Sequence, residues 1–341
     1  MSFVVTFLLA GLVIFGAAIV LSRSADRIAQ GTGLGRVWIG SILLAGATSL
    51  PELATDIAAV RMSAPDLAIG DLMGSGMANM LILALIDLAI TKRAVLRQAA
   101  LDHALAMSLA TIMTALAAVL IVTRATVGIG GVSFGSLLLL ATYLAGTRTL
   151  FHLSRRTSAR AEADAAAACA PASGGWIIDV GREKRRFAGA ALVILLAAPA
   201  FAWSAKGIAA MTGLGNTFVG TFLVGLATSL PELVTSIEAV RLGAVDLAVG
   251  NLFGSNAFNM LILLPLELAS PRTSIFAVAD PGHALTGLLT IVLMSLGLAA
   301  IVYRSERRWS LREPTSLFMI AVYAFAVSWL YARTIATGAV G

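Results

Sequence analysis

Shifted by 180 residues, this chain lies over itself without a gap from Ser24/Ser204 to Arg124/Arg304. Between 40–89 and 220–269, 29 of 50 positions are identical, so what the first half builds the second half builds again. Thr48-Ser49-Leu50-Pro51-Glu52 returns unchanged as Thr228-Ser229-Leu230-Pro231-Glu232. Further out, Thr32-Gly33-Leu34-Gly35 recurs as Thr212-Gly213-Leu214-Gly215, and His103-Ala104-Leu105 recurs as His283-Ala284-Leu285.

Both copies are written in apolar residues. Of 341 residues 59% are hydrophobic and 12% charged, about half the charged fraction of a soluble domain, which points to a polytopic membrane protein. Each half offers five spans long enough for a hydrocarbon core of ~30 Å. They lie at about 2–22, 37–60, 66–91, 101–122 and 130–150, then at 187–209, 217–240, 246–269, 283–303 and 315–335. The first span has no basic leader, and Arg23 follows its apolar run, so it reads as a retained helix rather than a signal peptide. Residues 1–150 and 187–341 are the expected repeat units. Between them 151–186 is a polar linker, too short for a sizeable extra domain.

Five is odd, so the second half must cross from the opposite side, as in many secondary transporters. With both termini outside and the linker cytoplasmic, the cytoplasmic connections hold every basic residue except Arg61, Arg124, Lys206, Arg272 and Arg333. That positive-inside bias explains the pI of about 10.1 without a nucleic-acid partner. The expected location is a bacterial inner (plasma) membrane. Cys169 has no partner for a disulfide, and three histidines with one cysteine make a poor zinc set. No HExxH, GxSxG or paired GxGD motif is present, so an intramembrane enzyme is not expected. The expected partners are lipid and inorganic cations, with no resident cofactor and no obligate protein partner.

A carboxylate at bilayer depth costs about 2.5–3.5 kcal/mol even on gentle insertion scales, so Glu52 and Glu232 each need a partner or a task. Each follows a proline, which removes a helical hydrogen bond and frees a carbonyl where no water can satisfy it. Kinked or interrupted helices are therefore expected, with backbone oxygens of Ala47, Thr48, Gly225 and Thr228 available to a cation. The next span of each half carries Gly70-Asp71-Leu72-Met73-Gly74-Ser75-Gly76-Met77-Ala78-Asn79, matched by Gly250-Asn251-Leu252-Phe253-Gly254-Ser255-Asn256-Ala257-Phe258-Asn259. Positions 71, 75 and 79 share one helical stripe, as do 251, 255 and 259, and such polar stripes should face inward. Gly74 and Gly254 read as packing glycines. The resulting oxygen-only set suits Ca²⁺, which takes six to eight ligands at about 2.3–2.6 Å, or Na⁺. Competition for the same carboxylates by a second ion or by protons would couple two fluxes. Asp66 and Asp246 read as helix caps, Asp56 and Glu238 as vestibule or helix-end residues, and His103 and His283 as interfacial helix starts.

These blocks resemble the α-repeats of the sodium/calcium exchanger family within the calcium/cation antiporter superfamily, with TSLPE and GSxxxN present twice in order. The resemblance implies an all-α polytopic membrane protein. It would have ten transmembrane helices as two inverted five-helix repeats, with helices 2, 3, 7 and 8 broken around a central site. It implies exchange of Ca²⁺ for Na⁺ or H⁺ by alternating access. Carried over by motif, Glu52 and Glu232 would be the principal Ca²⁺ ligands. Thr48, Ser49, Thr228, Ser229, Ser75, Asn79, Ser255 and Asn259 would line the Ca²⁺ and flanking Na⁺ positions. This chain departs from the family at three places. Asn79 and Asn259 are both amides where sodium-coupled members commonly place one aspartate, Gly76 stands opposite Asn256, and Asp71 stands opposite Asn251. Two formal charges at the centre leave Na⁺ and H⁺ both open as counter-ion. Asp71 reads either as a third charge near the pathway entrance or as a helix-end cap.

Overall fold

Inside a bilayer each backbone N–H and C=O must be satisfied within its own segment, so an apolar chain of this kind has helix as its natural element. The computed structural model describes residues 2–89, 95, 102–129, 132–167, 178–211, 228–270, 274–303 and 314–336. Nearly all of these are helical; Gly128–Ile129 and Val132–Ser133 form one short antiparallel pair. Among the described residues seven helices are long and apolar enough to cross a membrane: Phe3–Thr32, Arg36–Arg61, Pro65–Ala89, His103–Val122, Phe134–Thr157, Val245–Ala269 and Gly282–Val302. A shorter apolar stretch follows at Pro314–Leu330. The helix Val180–Met211 covers the expected sixth span. The part of the seventh span before Thr228, including Gly225, lies outside the described residues, as do Cys169 and Lys92.

Side-chain burial is inverted relative to a soluble protein. Leu12, Leu196 and Phe325 are 68%, 70% and 63% exposed, while Glu52, Glu232, Ser75 and Asn79 are fully buried. An apolar rim around a polar interior is the arrangement a lipid solvent selects. Ile69, Leu72, Met73, Met77, Met80, Leu83 and Phe253 are among the largest fully buried side chains.

Two expectations about the helices need correction. The third and eighth spans are not broken: Pro65–Ala89 and Val245–Ala269 are each continuous over 25 residues. Their Gly, Ser and Asn residues remove no backbone donor, and Pro265 sits close to the end of its helix, so neither ladder is opened at the polar stripe. The fifth helix does not stop near 150; Phe134–Ala167 runs on into the stretch read as linker.

The second span is interrupted twice over. Arg36–Trp38 passes into a π-helical turn at Ile39–Leu44 before Ala45–Thr48 and Leu50–Arg61 follow. This stretch presses backbone to backbone on the Val245–Ala269 helix. A Cβ on Gly40 would stand 2.7 Å from the Leu247 carbonyl oxygen, and one on Gly254 would overlap the Ser41 carbonyl. Gly254 thus has the packing role expected of it.

The N-terminal helix Ser2–Thr32 lies along Val180–Met211, with Phe7 stacked on Phe201 at 4.4 Å between ring centres. At its polar end Arg27 donates to Glu183 at 2.9 Å and Arg23 to Glu238 at 2.7 Å, while Ser22 donates to the Thr235 carbonyl. Burial would push the Glu183 carboxyl up, but Arg27, Ser24 and Arg186 together hold it below its ordinary range. Glu238 is therefore an ion-pair partner of the first helix.

Candidate cation site

Both copies of the repeated block fold the same way. The helix ends at Ser49 (φ −90°, ψ 4°) and at Ser229 (φ −79°, ψ 5°), and a new helix starts at Leu50 and Leu230 with proline in its first turn. Proline suits that position because its missing N–H would be unpaired there anyway. The restart puts Glu52 and Glu232 in the first turn of a helix, where the macrodipole favours a negative charge. Since Pro51 has no N–H, the Ala47 carbonyl loses its i+4 donor, as expected from the sequence.

The side chains of the two blocks interlock. Ser75 Oγ lies 3.5 Å from Glu52 Oε1 and 3.0 Å from Ser229 Oγ. Ser255 Oγ and Ser49 Oγ each donate to Glu232 Oε1 at 3.3 Å. Thr48 Oγ1 bonds Asn251 Oδ1 at 3.2 Å and lies 3.4 Å from Ser255 Oγ. Thr228 Oγ1 donates to Asp71 Oδ1 at 3.2 Å, and Asn259 Nδ2 donates to Ser75 Oγ at 3.2 Å. All eleven residues singled out in the sequence, from Thr48 to Asn259, are buried, in four bonded groups: Ser75 with Glu52, Ser229 and Asn259; Ser255 with Thr48, Glu232 and, through Glu232, Ser49; Thr228 with Asp71; and Asn79 with Asn256.

What the cluster leaves unpaired is more telling than what it pairs. Glu52 Oε2, Glu232 Oε2, Asn79 Oδ1 and Asn259 Oδ1 are buried with no donor. They come from four separate helices. The Asn79 orientation follows from its neighbours: Asn256 Nδ2 donates to the Gly76 carbonyl at 3.3 Å, so Asn256 Oδ1 must accept, and Asn79 offers it Nδ2 at 2.9 Å. Asn79 Oδ1 is then left facing away from that bond. A buried acceptor without a donor normally costs about 1–3 kcal/mol, more if charged. Four of them, two on carboxylates, fit a cation. Among the described residues no three His, Cys, Asp or Glu side chains converge on one point, so an ion here would take most of its ligands from amides, hydroxyls and carbonyls.

Asp71 sits at the seventh residue of its 25-residue helix, is 1% exposed, and caps nothing. The Asp56 carboxyl beside it, on the helix Leu50–Arg61, is equally buried. Asp56 was read as a vestibule or helix-end residue and is neither. Asp66 and Asp246 also do more than cap. Asp246 Oδ1 meets His103 Nε2 at 3.0 Å, and Asp66 Oδ1 meets His283 Nε2 at 3.2 Å, tying helix starts together across the two halves. The sequence reading gave Asn256 no role and missed the buried acids Asp87 and Glu267. Ser136 donates to Glu267 and Ser316 to Asp87, each at 2.5 Å. The signal was present: 87/267 and 136/316 are both 180 apart.

The family profile described as sodium/calcium exchanger protein matches residues 2–151 and 186–332. The chain belongs to the sodium/calcium exchanger family. It is 31% identical over 140 residues to sodium/calcium exchanger MaX1 of Methanosarcina acetivorans, covering 40% of this chain and 38% of that protein. It is 25% identical over 315 residues to the uncharacterized membrane protein MJ0091 of Methanocaldococcus jannaschii, covering 89% and 90%. A solved structure of the sodium-calcium exchanger NCX_Mj, soaked with Na⁺ and Ca²⁺, superposes over 96% of this chain and 98% of its own at a TM-score of 0.67. At 22% identity that likeness establishes the fold.

Proposed function

We propose that this protein is a secondary antiporter that exchanges Ca²⁺ for Na⁺ or H⁺ across the membrane by alternating access. The observation that carries the reading is the set of four donorless oxygens, Glu52 Oε2, Glu232 Oε2, Asn79 Oδ1 and Asn259 Oδ1, enclosed at the centre of the helices. Two carboxylates neutralise one Ca²⁺, and Thr48, Ser49, Ser75, Thr228, Ser229 and Ser255 supply neutral oxygens around them. Emptied and doubly charged, the cluster would be expensive to carry through an occluded state, so one cation must replace another before the protein turns over. Exchange rather than leak follows from that expense. The chain acts as a transporter, not an enzyme.

The 180-residue repeat, the pairing of equivalent residues across the centre and the family likeness support ten helices in two inverted five-helix units, 1–150 and 187–341. The basic residues support an N-out, C-out orientation with 151–186 cytoplasmic, in a bacterial inner membrane.

Purified protein in proteoliposomes, with Na⁺, K⁺ and pH gradients imposed one at a time, tests the proposal. Wild type is expected to take up Ca²⁺ only against one of these gradients. Glu52→Gln and Glu232→Gln should each lower uptake by more than about 100-fold while the protein still elutes as one folded species, since each leaves one charge where two are needed. Ca²⁺ flux without any counter-gradient would indicate a channel, and wild-type rates in either variant would remove the glutamates from the site.

A further inference from the structure

Asn79 and Asn259 each leave a buried oxygen unpaired, but the two amides are held in different ways. Asn256, 1% exposed on the Val245–Ala269 helix, reaches the Pro65–Ala89 helix with both ends of its side chain. Its Nδ2 donates to the Gly76 carbonyl at 3.3 Å, and its Oδ1 accepts from Asn79 Nδ2 at 2.9 Å. A main-chain carbonyl can only accept. The Gly76 peptide therefore sets which way round the Asn256 amide lies, and Asn256 passes that setting on to Asn79. Turned over, Asn79 would bring Oδ1 against Asn256 Oδ1 and point an amide donor toward the proposed ion.

Asn259 has no such guide. Moved by 180 residues, Asn256 becomes Gly76, which has no side chain to offer. The space beside Gly76 is filled from another helix: a Cβ there would stand 3.1 Å from Thr290 Cγ2, so a larger residue would have to displace Thr290. Thr290 is itself held, 2% exposed and bonded to the Thr286 carbonyl at 2.9 Å. Asn259 Nδ2 leans instead on Ser75 Oγ at 3.2 Å, a hydroxyl that also lies 3.0 Å from Ser229 Oγ and 3.5 Å from Glu52 Oε1. A hydroxyl donates as readily as it accepts, so no main-chain group decides which end of the Asn259 amide faces inward.

We infer that Asn256 is a positioning residue for the cation site: anchored on the Gly76 carbonyl, it fixes Asn79 with Oδ1 turned toward the ion. It gives no atom to the ion itself, because both its polar ends are already engaged. The device belongs to one amide alone, since Gly76 cannot do the same for Asn259. Partners that orient a ligand from behind carry about 10–100-fold in metal affinity, because the ligand is ready before the ion arrives. The inference rests on the reading that a cation is held between Glu52 and Glu232.

The test is equilibrium binding of ⁴⁵Ca²⁺ to purified protein in detergent, for wild type, Asn256→Ala, Asn79→Ala and the double variant. Asn256→Ala is expected to weaken binding by about 10–100-fold while the protein still elutes as one folded species. Asn79→Ala should weaken it at least as much. The double variant should then bind no more weakly than Asn79→Ala, because a residue acting only through Asn79 has nothing left to hold. Losses that multiply in the double variant would make Asn256 a packing residue, and Asn256→Ala binding as tightly as wild type would mean that Asn79 needs no guide. Either result overturns the inference. Should Asn256→Ala fail to fold, Asn256→Ser takes its place in the cycle, since one short hydroxyl cannot bridge both partners. Ca²⁺ bound with the non-additive pattern, but not taken up against any gradient, removes the exchange reading and leaves this one standing. Gradient-driven uptake with multiplied losses removes this one alone, and a wild type that binds no ⁴⁵Ca²⁺ removes both.

Discussion

At their helix ends the two halves of this protein make matching contacts, while at their centres the same framework carries acids at 56 and 71 in one half and neutral residues at 236 and 251 in the other. His103 meets Asp246 as His283 meets Asp66, and Ser136 meets Glu267 as Ser316 meets Asp87. One hydroxyl bridge deeper in, Thr48 to Asn251 has its counterpart in Thr228 to Asp71, both at 3.2 Å, yet one acceptor is an amide and the other an acid. Contacts at helix ends set where the helices sit, and a change in either copy would tilt its half against the other. At the centre, where the proposed cation would sit, the bridge geometry is the same in both halves while its charge differs in one.

The glycines give the largest expected effect outside the glutamates. Gly254 touches the Ser41 backbone so closely that a methyl group there has no room, and the obstacle is main chain rather than a side chain that can turn aside. Gly254→Ala should therefore push the Val245–Ala269 helix away from the π-helical turn at Ile39–Leu44, with a loss on the order of 3 kcal/mol. Thermal unfolding in detergent would show it. A melting midpoint equal to wild type would mean that the two helices are not held backbone to backbone.

A smaller effect separates the two histidine contacts. His103 is fully buried and its partner Asp246 is 34% exposed, whereas His283 is 14% exposed and its partner Asp66 53%. His103→Ala removes a buried ring and leaves a cavity, for a loss of about 2–3 kcal/mol. His283→Ala breaks a solvent-screened contact worth about 0–1 kcal/mol. Paired melting curves decide the matter. Equal losses would show that the copies carry equal load, and the contrast drawn between them would have to be given up.

Much of this was legible in the sequence, and the reasons differ from residue to residue. Proline inside an apolar run announces a helix break without any knowledge of packing, so the interruptions at Ser49 and Ser229 were readable. The spacing of Ser75, Asn79, Ser255 and Asn259 fixed which face they share, and the apolar background fixed that the face points inward. The continuity of Pro65–Ala89 and Val245–Ala269 was hidden because the family likeness, not the residues, suggested a break; glycine and serine leave the hydrogen-bond ladder intact. Asp56 was illegible for another reason. Its importance lies in facing Asp71 across two helices, and a pairing between segments has no period along one chain. Asn256 was passed over for the same reason: both its partners, the Asn79 amide and the Gly76 carbonyl, lie on another helix.

The smallest effect falls on the same residue type as the largest. Gly16 lies near the middle of Ser2–Thr32 with nothing within 4 Å of where its Cβ would be, and its neighbours Leu12 and Phe15 are exposed to lipid. Alanine there meets no obstacle and gains up to about 1 kcal/mol of helix propensity by the scale measured in water. In lipid that gain shrinks, because a glycine in hydrocarbon has no water to compete for its backbone and its helix is already enforced. Gly16→Ala should thus change the melting midpoint by less than about 2 °C in either direction and leave Ca²⁺ uptake at the wild-type rate. A large loss of stability would mean that this face is covered by another protein surface, and the lipid-facing assignment of the first helix would have to be replaced by a buried one.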